Sequence, residues 1–391
     1  MSATNGIPRS IEDVNNAWLS ESLGDEVTSY SVTFLEGGVM SDAFKIHDIS
    51  YRDSTELPTS VVLKMTNMIE DRRAVAMANN AYVREVKFLD QLADEVPLRT
   101  PKIYDIRHDG SDTYEFFSIV MEDLTTHSEV FDQVTDPPDE AYVRKINLEV
   151  AELHAMYWES DTLELDWLRP KNNEYTFSLN DAAATCSENI DTYIELWEKS
   201  YGERLFEEQY ASLKPLTDII TGEHGIALLA HLNGKLNDRP WTLVHNDLRA
   251  DNIFRTRDTH ADAGELTYID WQLVSPGPPG PEFTQAWQHT LPPEVRRKEK
   301  DFLKQYHDRL IQLAPQAAAY TYDMLIEDYR IAFIQWWMAL ITIGAATFPV
   351  FFEPEGARMK ALWGQGLPYM FQAIHDNDCL DLVEQTLSEI R

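Results

Sequence analysis

The sequence contains very little cysteine and comparatively few basic residues. Only Cys186 and Cys379 occur among 391 residues, far apart and without partners at metal-ligand spacing. This argues against a disulfide framework or a zinc site, and it fits a reducing cytoplasm. Thirty-three Lys and Arg residues stand against 66 Asp and Glu residues, so the formal net charge is −33. Such a charge disfavours nonspecific binding to nucleic acid or to an anionic membrane surface.

An apolar signal segment is also missing at the start, where residues 1–9 are polar, so a cytoplasmic location is expected. One uncharged run, Ile331–Phe352, has 22 residues and is long enough to cross a bilayer. It contains Gln335 and Pro349, which are unfavourable in a membrane span. We therefore predict a core helix of a large domain there, with a membrane span as the alternative.

The length and composition predict a globular protein of two domains or of one large bilobal unit. Hydrophobic residues make up 43% and charged residues 25%, which is ordinary for such proteins. The acidic residues are scattered along the chain instead of forming a tail. This distribution favours a solvated acidic surface, and an electrostatic field that attracts cationic substrates is the alternative.

The stretch with the most chemical information is Leu243–Phe254, which contains Asp247 and Asn252. A further acid, Asp270, follows 18 residues after Asn252. Both acids follow short apolar runs with β-branched residues, which predicts positions at the ends of buried strands or turns. Phosphoryl transfer needs a carboxylate that orients a hydroxyl, and an amide and a carboxylate that hold Mg²⁺. The alternative is a set of hydrogen-bonding turn residues, which would suffice for one acid but not for the ordered set.

The motif His-x-Asp-x-x-x-x-Asn at 245–252, followed by Ile-Asp-Trp-Gln at 269–272, resembles the catalytic loop and metal-binding Asp of protein kinases. It is more similar to the aminoglycoside phosphotransferase and choline kinase-like family, including its ecdysteroid kinase-like branch. The resemblance implies that Asp247 is the catalytic base and that Asn252 and Asp270 are Mg²⁺ ligands. Arg249 falls where protein kinases often carry a Lys that approaches the γ-phosphate.

The resemblance also implies an α+β, bilobal, protein-kinase-like fold. Residues 1–124 would form a nucleotide-binding lobe with a small antiparallel β-sheet and one key helix. Residues 125–391 would form a larger, mostly helical lobe with the catalytic loop and the acceptor pocket. The expected cofactors are ATP and Mg²⁺.

A predicted strand, Val61–Met65, carries Lys64, and a predicted helix, Val75–Leu92, carries Glu85. The spacing matches the kinase pair in which a strand Lys holds the α- and β-phosphates and a helix Glu holds the Lys. The alternative for Glu85 is a surface ion pair with its basic neighbours in the helix.

Two further segments are candidates for nucleotide contacts. A glycine turn between two predicted strands contains Gly38 and Ser41, and its backbone N–H groups could cover phosphates, although such turns usually only connect strands. A later strand ends in Glu-Asp-Leu, similar to the linker between the lobes of the family. There, backbone groups near Glu122 would bind the adenine, with Met121 and Leu124 as walls of its pocket.

The sequence thus predicts an ATP- and Mg²⁺-dependent phosphotransferase that acts on a hydroxyl of a small molecule: an aminoglycoside-, choline- or steroid-like alcohol. A protein kinase is disfavoured, because the Pro- and Gly-rich link runs only twelve residues from Asp270 to Glu282 and leaves little platform for a peptide. A nucleotide-binding pseudokinase would be expected to lose residues such as Lys64 or Asp247, which this chain keeps. The family usually has Asp at the position of Glu282, where it braces the catalytic loop.

Overall fold

The computed structural model describes residues 6–35, 40–169, 191–192, 195–200, 213–260, 264–287, 290–347 and 357–390. The chain divides into two compact units. The N-terminal unit consists of Met1–Val130, Asp166–Leu168 and Asn252–Val274, and the C-terminal unit of Phe131–Leu165, Arg169–Asp251 and Ser275–Arg391. The first segment thus ends six residues after the lobe boundary expected at residue 124.

The N-terminal unit contains a five-stranded antiparallel sheet with the strand order β1-β2-β3-β5-β4. Its strands are β1 Val27–Leu35, β2 Ser41–Tyr51, β3 Val61–Thr66, β4 Ile103–His108 and β5 Phe117–Glu122. In the central strand β3, Leu63 and Met65 are fully buried against the N-terminal helix α1, Asn16–Leu23. Because side chains alternate along a strand, Lys64 points to the opposite face.

The single helix predicted over Val75–Leu92 is wrong. The structure has two helices, α2 Glu70–Ala78 and α3 Ala81–Gln91. They are separated at Asn80, whose φ of 54° is left-handed and incompatible with a continuing right-handed helix. Asn tolerates this conformation better than most residues, because its short side chain can hydrogen-bond locally.

The remaining strands are short. They are β6 Ser128–Val130, β7 Thr242–Val244, β8 Ile253–Thr256, β9 Leu266–Tyr268 and β10 Ser275–Gly277. In the N-terminal unit, β6, β8 and β9 form an antiparallel sheet, which explains why residues 252–274 belong to that unit. In the C-terminal unit, β7 pairs with β10. The predicted catalytic loop begins directly after β7 and precedes β10 in the chain.

The rest of the C-terminal unit is helical where it is described. Its helices include α4 Glu140–Met156, Gly225–Asn237, Gly280–Trp287, Pro293–Arg296, Glu299–Leu313, Tyr322–Thr347, Ala357–Asp376 and Cys379–Ile390. The predicted core helix lies largely within Tyr322–Thr347, where Phe333 and Trp337 are fully buried. Residues 348–352 of that prediction lie outside the described residues. Among the helices described, none combines the length and hydrophobicity that a membrane crossing requires.

Candidate active site

Lys64 is the centre of a charged cluster in the N-terminal unit. Its Nζ lies 2.7 Å from Glu85 Oε1 and 2.7 Å from Asp270 Oδ1. The Lys64 side chain is 14% exposed and that of Glu85 is 2% exposed. The predicted Lys64–Glu85 pair is therefore present, and Glu85 is not a surface residue. Asp270 joins the same ammonium group from a position 206 residues away in the chain.

The electrostatics of this cluster follow from its burial. Burial disfavours the charged ammonium, but the carboxylates of Asp270 and Glu85 outweigh this effect and raise the pKa of Lys64. Burial raises the pKa of Glu85 to about 7; Lys64 opposes this shift, whereas Asp270 adds to it.

The hairpin of β8 and β9 brings Asn252 and Asp270 together in the same unit. Asn252 directly precedes β8, and Asp270 follows β9 after one residue. Because Ile253 pairs with Tyr268, these positions lie at the same end of the hairpin. The Ile269 backbone N–H donates to the Asn252 carbonyl at 2.9 Å. Asn252 is 4% exposed, so an amide and a carboxylate from distant positions lie at one buried end.

The backbone and neighbours of Asp270 hold its carboxylate in place. Asp270 has a φ of 67°, a left-handed conformation that is uncommon for residues other than glycine. Gln272 Nε2 donates to Asp270 Oδ2 at 3.2 Å. Trp271 is buried and stacks on Phe88 of α3, with ring centroids 3.9 Å apart. The turn that carries Asp270 is thus packed on the helix that carries Glu85.

The predicted nucleotide contacts lie on or beside the central strands. Gly38 falls outside the described residues. Ser41 is the buried first residue of β2 and pairs with Thr66. Met121 and Glu122 are partly exposed at the end of β5, and the following Leu124 is buried. Their contact with a nucleotide remains a prediction.

The C-terminal unit carries the loop that follows β7, residues 245–251. Its second residue, Asn246, has a φ of 64°. The Asn246 backbone N–H donates to Glu282 Oε1 at 3.1 Å, and its Nδ2 donates to Ser275 Oγ at 2.9 Å. The Asp247 backbone N–H donates to His245 Nδ1 at 3.2 Å. Backbone and side-chain hydrogen bonds therefore hold both sides of the left-handed turn, and His245 takes part in them.

Asp247 itself is 7% exposed and receives two side-chain contacts at the same oxygen. Gln285 Nε2 donates to Asp247 Oδ1 at 3.1 Å. Arg249 Nε lies 3.3 Å from Asp247 Oδ1. The two predicted catalytic residues, Asp247 and Arg249, are thus an ion pair in this structure.

Glu282 braces this loop although it is longer than the Asp expected from the family. Burial raises the pKa of Glu282 to about 8, and the charge of Asp247 contributes to the rise. Hydrogen bonds from the backbone N–H groups of Asn246 and His245 oppose it. Glu282 lies in the first turn of the helix Gly280–Trp287. The departure from the family pattern does not remove the contact with the loop.

These two groups of residues agree with a comparison against models of protein families. Residues 69–320 match the model of the phosphotransferase enzyme family, APH, and this match spans more than half of the chain. The chain belongs to this family. The predicted resemblance is confirmed, and the protein is a phosphotransferase.

This phosphotransferase is similar to several solved structures. An ethanolamine kinase from Plasmodium vivax matches with a TM-score of 0.50 at 13% identity, covering 95% of this chain and 93% of that chain. A choline kinase from Cryptosporidium parvum Iowa II matches with a TM-score of 0.43 at 12% identity, covering 95% and 97%. An aminoglycoside-3'-phosphotransferase of type VIII matches with a TM-score of 0.42 at 16% identity, covering 76% of this chain and 93% of that chain. The predicted α+β, kinase-like fold is confirmed. A search of curated proteins gives no match.

Sequence reasoning did not find several polar residues of the phosphotransferase that contact these groups. Gln285 donates to Asp247, and Gln272 donates to Asp270. Asp251 accepts a hydrogen bond from Gln133 Nε2 at 3.0 Å, and burial raises its pKa. A sequence signal was available for Asp251 and Gln272, which lie within the two quoted motifs, but not for Gln285.

Asp123, between Glu122 and Leu124, is a further missed residue of the phosphotransferase. Its carboxylate accepts hydrogen bonds from Ser60 Oγ at 2.5 Å and from the Thr125 backbone N–H at 3.0 Å, and Lys45 Nζ lies 2.8 Å away. Burial raises the pKa of Asp123, but these donors outweigh it and lower the pKa overall. The segment after β5 is therefore held by a charged hydrogen-bond network.

Proposed function

We propose that this phosphotransferase transfers the γ-phosphate of ATP, in the presence of Mg²⁺, to a hydroxyl group of a small molecule. The main support is the buried ammonium group of Lys64, which lies 2.7 Å from a carboxylate of α3 and 2.7 Å from the carboxylate that follows β9. Burying a Lys with two acids requires the removal of water from three charged groups, and this desolvation can exceed the free energy gained from their attraction. Stability alone therefore does not explain the cluster. It is the arrangement that positions an ammonium group for phosphates.

In this proposal the N-terminal unit holds the nucleotide. Lys64 binds the α- and β-phosphates, and Glu85 holds Lys64 in the orientation required. The backbone near Glu122 binds the adenine, between the side chains of Met121 and Leu124. The turn at Gly38 and the start of β2 at Ser41 cover the phosphates with backbone N–H groups.

The donor set at the end of the β8–β9 hairpin fits Mg²⁺. Asp270 offers a carboxylate and Asn252 an amide oxygen, and Mg²⁺ prefers oxygen ligands and keeps several waters. Few protein ligands therefore suffice, and Asn252 and Asp270 would hold the ion. The ion would neutralise charge on the phosphates during transfer.

Asp247 would orient the acceptor hydroxyl and accept its proton. Its carboxylate is buried and held at Oδ1 by Gln285 and Arg249, which supports a defined orientation. Arg249, which carries a permanent charge next to Asp247, would stabilise the negative charge of the transferred phosphoryl group. General base catalysis of this kind contributes about 10²–10⁴-fold to the rate.

A small acceptor is supported by the short chain segment after Asp270. The strand β10 begins at Ser275, and the next helix begins at Gly280, so no long segment is present there on which a peptide could lie. An ethanolamine kinase and a choline kinase are similar to this chain in structure. At 13% and 12% identity, however, their substrates do not identify the acceptor of this chain. The acceptor class, a cationic alcohol or a largely apolar one, is left to experiment.

The proposal is tested by separating the role of the metal ligand from that of the base. In Asp270→Ala, both the affinity for Mg·ATP and turnover should fall, because a metal ligand is lost. In Asp247→Asn, turnover should fall on the order of 10²–10⁴-fold while nucleotide affinity is kept. Asp94→Asn, at an exposed position of the N-terminal unit, is the matched control and should resemble the wild type.

Binding of Mg·ATP is measured by calorimetry. Turnover is measured with ATP and a panel that contains ethanolamine, choline, an aminoglycoside and a steroid alcohol, together with phosphate release to water. Equal nucleotide affinities of the Asp270→Ala and Asp247→Asn variants would contradict the separate roles. Absence of phosphate transfer to every acceptor and to water would contradict the proposed function.

A further inference from the structure

Gln285 makes a buried contact that the proposed reaction does not yet explain. Its side chain is 7% exposed, and its Nε2 donates to Asp247 Oδ1 at 3.1 Å. An Asp carboxylate rotates readily about its last bond, because that torsion has broad minima. A carboxylate orients a hydroxyl well only when its own plane is held in place. The hydrogen bond from Gln285 to Asp247 Oδ1 holds that plane and so affects how Asp247 orients the acceptor hydroxyl.

The helix that carries Gln285 is rigidly supported within the C-terminal unit. Its first residue, Gly280, lies so close to the helix Tyr322–Thr347 that an added Cβ would be 2.5 Å from the Cβ of Asp328. Thr284 Oγ1 donates to the carbonyl of Tyr329 at 3.0 Å. Because the helix is held at both points, the amide of Gln285 is held as well.

The same helix face reaches the catalytic loop at two places. Glu282 and Gln285 are three residues apart, which puts them on one side of the helix. Glu282 accepts the backbone N–H of Asn246, whereas Gln285 binds the side chain of the next residue, Asp247. One residue therefore sets the position of the loop backbone, and the other sets the orientation of the carboxylate.

The two side chains that contact Asp247 Oδ1 differ in kind. The Arg249 side chain is 35% exposed and carries a charge. Gln285 is buried and neutral, and an amide N–H orients a carboxylate without neutralising its charge. We propose that Gln285 is a positioning residue that fixes the carboxylate of Asp247 for its reaction with the acceptor hydroxyl. This inference rests on the proposed function, in which Asp247 is the base.

The test compares Gln285→Met with the matched control Thr284→Val. Both variants remove one buried hydrogen bond from adjacent residues of the same helix, but only the first one is made to Asp247. We expect Gln285→Met to lower kcat on the order of 10-fold to 100-fold, the effect of a misplaced catalytic group. The KM for Mg·ATP should stay at the wild-type value. Thr284→Val should lower Tm and lower kcat far less than Gln285→Met, because the close packing at Gly280 still holds the helix.

Turnover is measured on the full chain with Mg·ATP and the best acceptor of the panel, or with water when no acceptor of the panel reacts. Gln285→Asn is a second variant, which keeps an amide but withdraws it from Asp247 by one methylene group. It should lower kcat like Gln285→Met, and it serves as the test when Gln285→Met does not fold. In the background of Asp247→Asn, neither Gln285 variant should lower turnover further, because the group to be positioned is already lost.

Three results would overturn the inference. Wild-type kcat in a folded Gln285 variant shows that the contact is not needed. An equal loss of kcat in Thr284→Val shows a general effect of helix stability. An additional loss in the Asp247→Asn background shows that Gln285 acts elsewhere. Full turnover of the Asp247→Asn variant itself would contradict the proposed base, and this outcome is distinct from the other three.

Discussion

The ring of Phe88 stacks on the ring of Trp271 with centroids 3.9 Å apart and planes 12° apart. Phe88 lies one helical turn after Glu85 on α3, and Trp271 directly follows Asp270. The stack therefore holds together the two elements whose carboxylates bind Lys64. The geometry of this ion-pair cluster depends on an apolar contact beside it.

Phe88→Leu tests this dependence. The variant should lose on the order of 1–3 kcal/mol of unfolding free energy, because a stacked ring is replaced by a smaller side chain. Its KM for Mg·ATP should rise, since α3 and the turn of Asp270 can then shift relative to each other. The control is Phe117→Leu, a buried residue of β5 that packs on Tyr82. It should lose comparable stability but keep the KM of the wild type; a rise of equal size in both variants would contradict the role of the stack.

Lys64→Met and Glu85→Gln should differ in stability. Lys64→Met leaves two carboxylates, of Glu85 and Asp270, close together without their shared cation, and should cost about 3–5 kcal/mol. Glu85→Gln leaves Lys64 paired with Asp270 and removes an acid whose pKa burial already raises, so it should cost less. Chemical denaturation of both variants measures the order, and a less stable Glu85→Gln variant would contradict it.

Gly280→Ala should be destabilising by about 1–3 kcal/mol, because the new Cβ would lie 2.5 Å from the Cβ of Asp328. The helix would have to move, and with it Glu282, so kcat should fall as well. Gly234→Ala is the control, since nothing lies within 4 Å of a Cβ at that helical position. It should stabilise the protein by about 0.5–1 kcal/mol. Thermal unfolding and turnover of both variants check this contrast.

His154 should contribute to acid unfolding. Burial lowers its pKa from 6.5 to about 3 in the folded state. Between these values the unfolded chain binds the proton and the folded chain does not, so stability should fall as the pH falls from 6.5 towards 3. One such group contributes a slope of about 1.4 kcal/mol per pH unit.

In His154→Asn this part of the slope should disappear. In the control Tyr306→Phe it should remain, because that variant removes only the hydroxyl group that lies 2.8 Å from His154 Nδ1. Unfolding free energies between pH 3 and pH 7 measure both slopes. An unchanged slope in His154→Asn would show that other groups dominate.

The salt dependence of the acceptor KM should reveal the acceptor class. For a cationic acceptor held by carboxylates, the KM should rise as the ionic strength increases from low to physiological values, because salt screens the attraction. For a neutral, largely apolar alcohol it should stay flat or fall. The formal net charge of −33 alone does not decide between them, since it describes the whole surface and not the acceptor pocket.

Local patterns in the sequence predicted the strand that carries Lys64 and the pairing of Lys64 with Glu85. In the structure this strand is β3, Val61–Thr66, and its residues Leu63 and Met65 are fully buried. The pattern failed at Asn80, where a backbone with positive φ interrupts a hydrophobic periodicity that continues through it. A periodic pattern records which residues are apolar, and it does not record the backbone angle of a single polar residue.

The sequence by itself was enough to identify the family, because the types and the order of residues in a motif, such as Asp247 and Asp270, can be seen along the chain. Only the tertiary structure decided which partners hold them. Gln285 reaches Asp247 across 38 residues of the chain, and Trp271 meets Phe88 on α3. The physical reason is that hydrogen bonds and ring contacts depend on distances in space between chain segments that no local pattern relates.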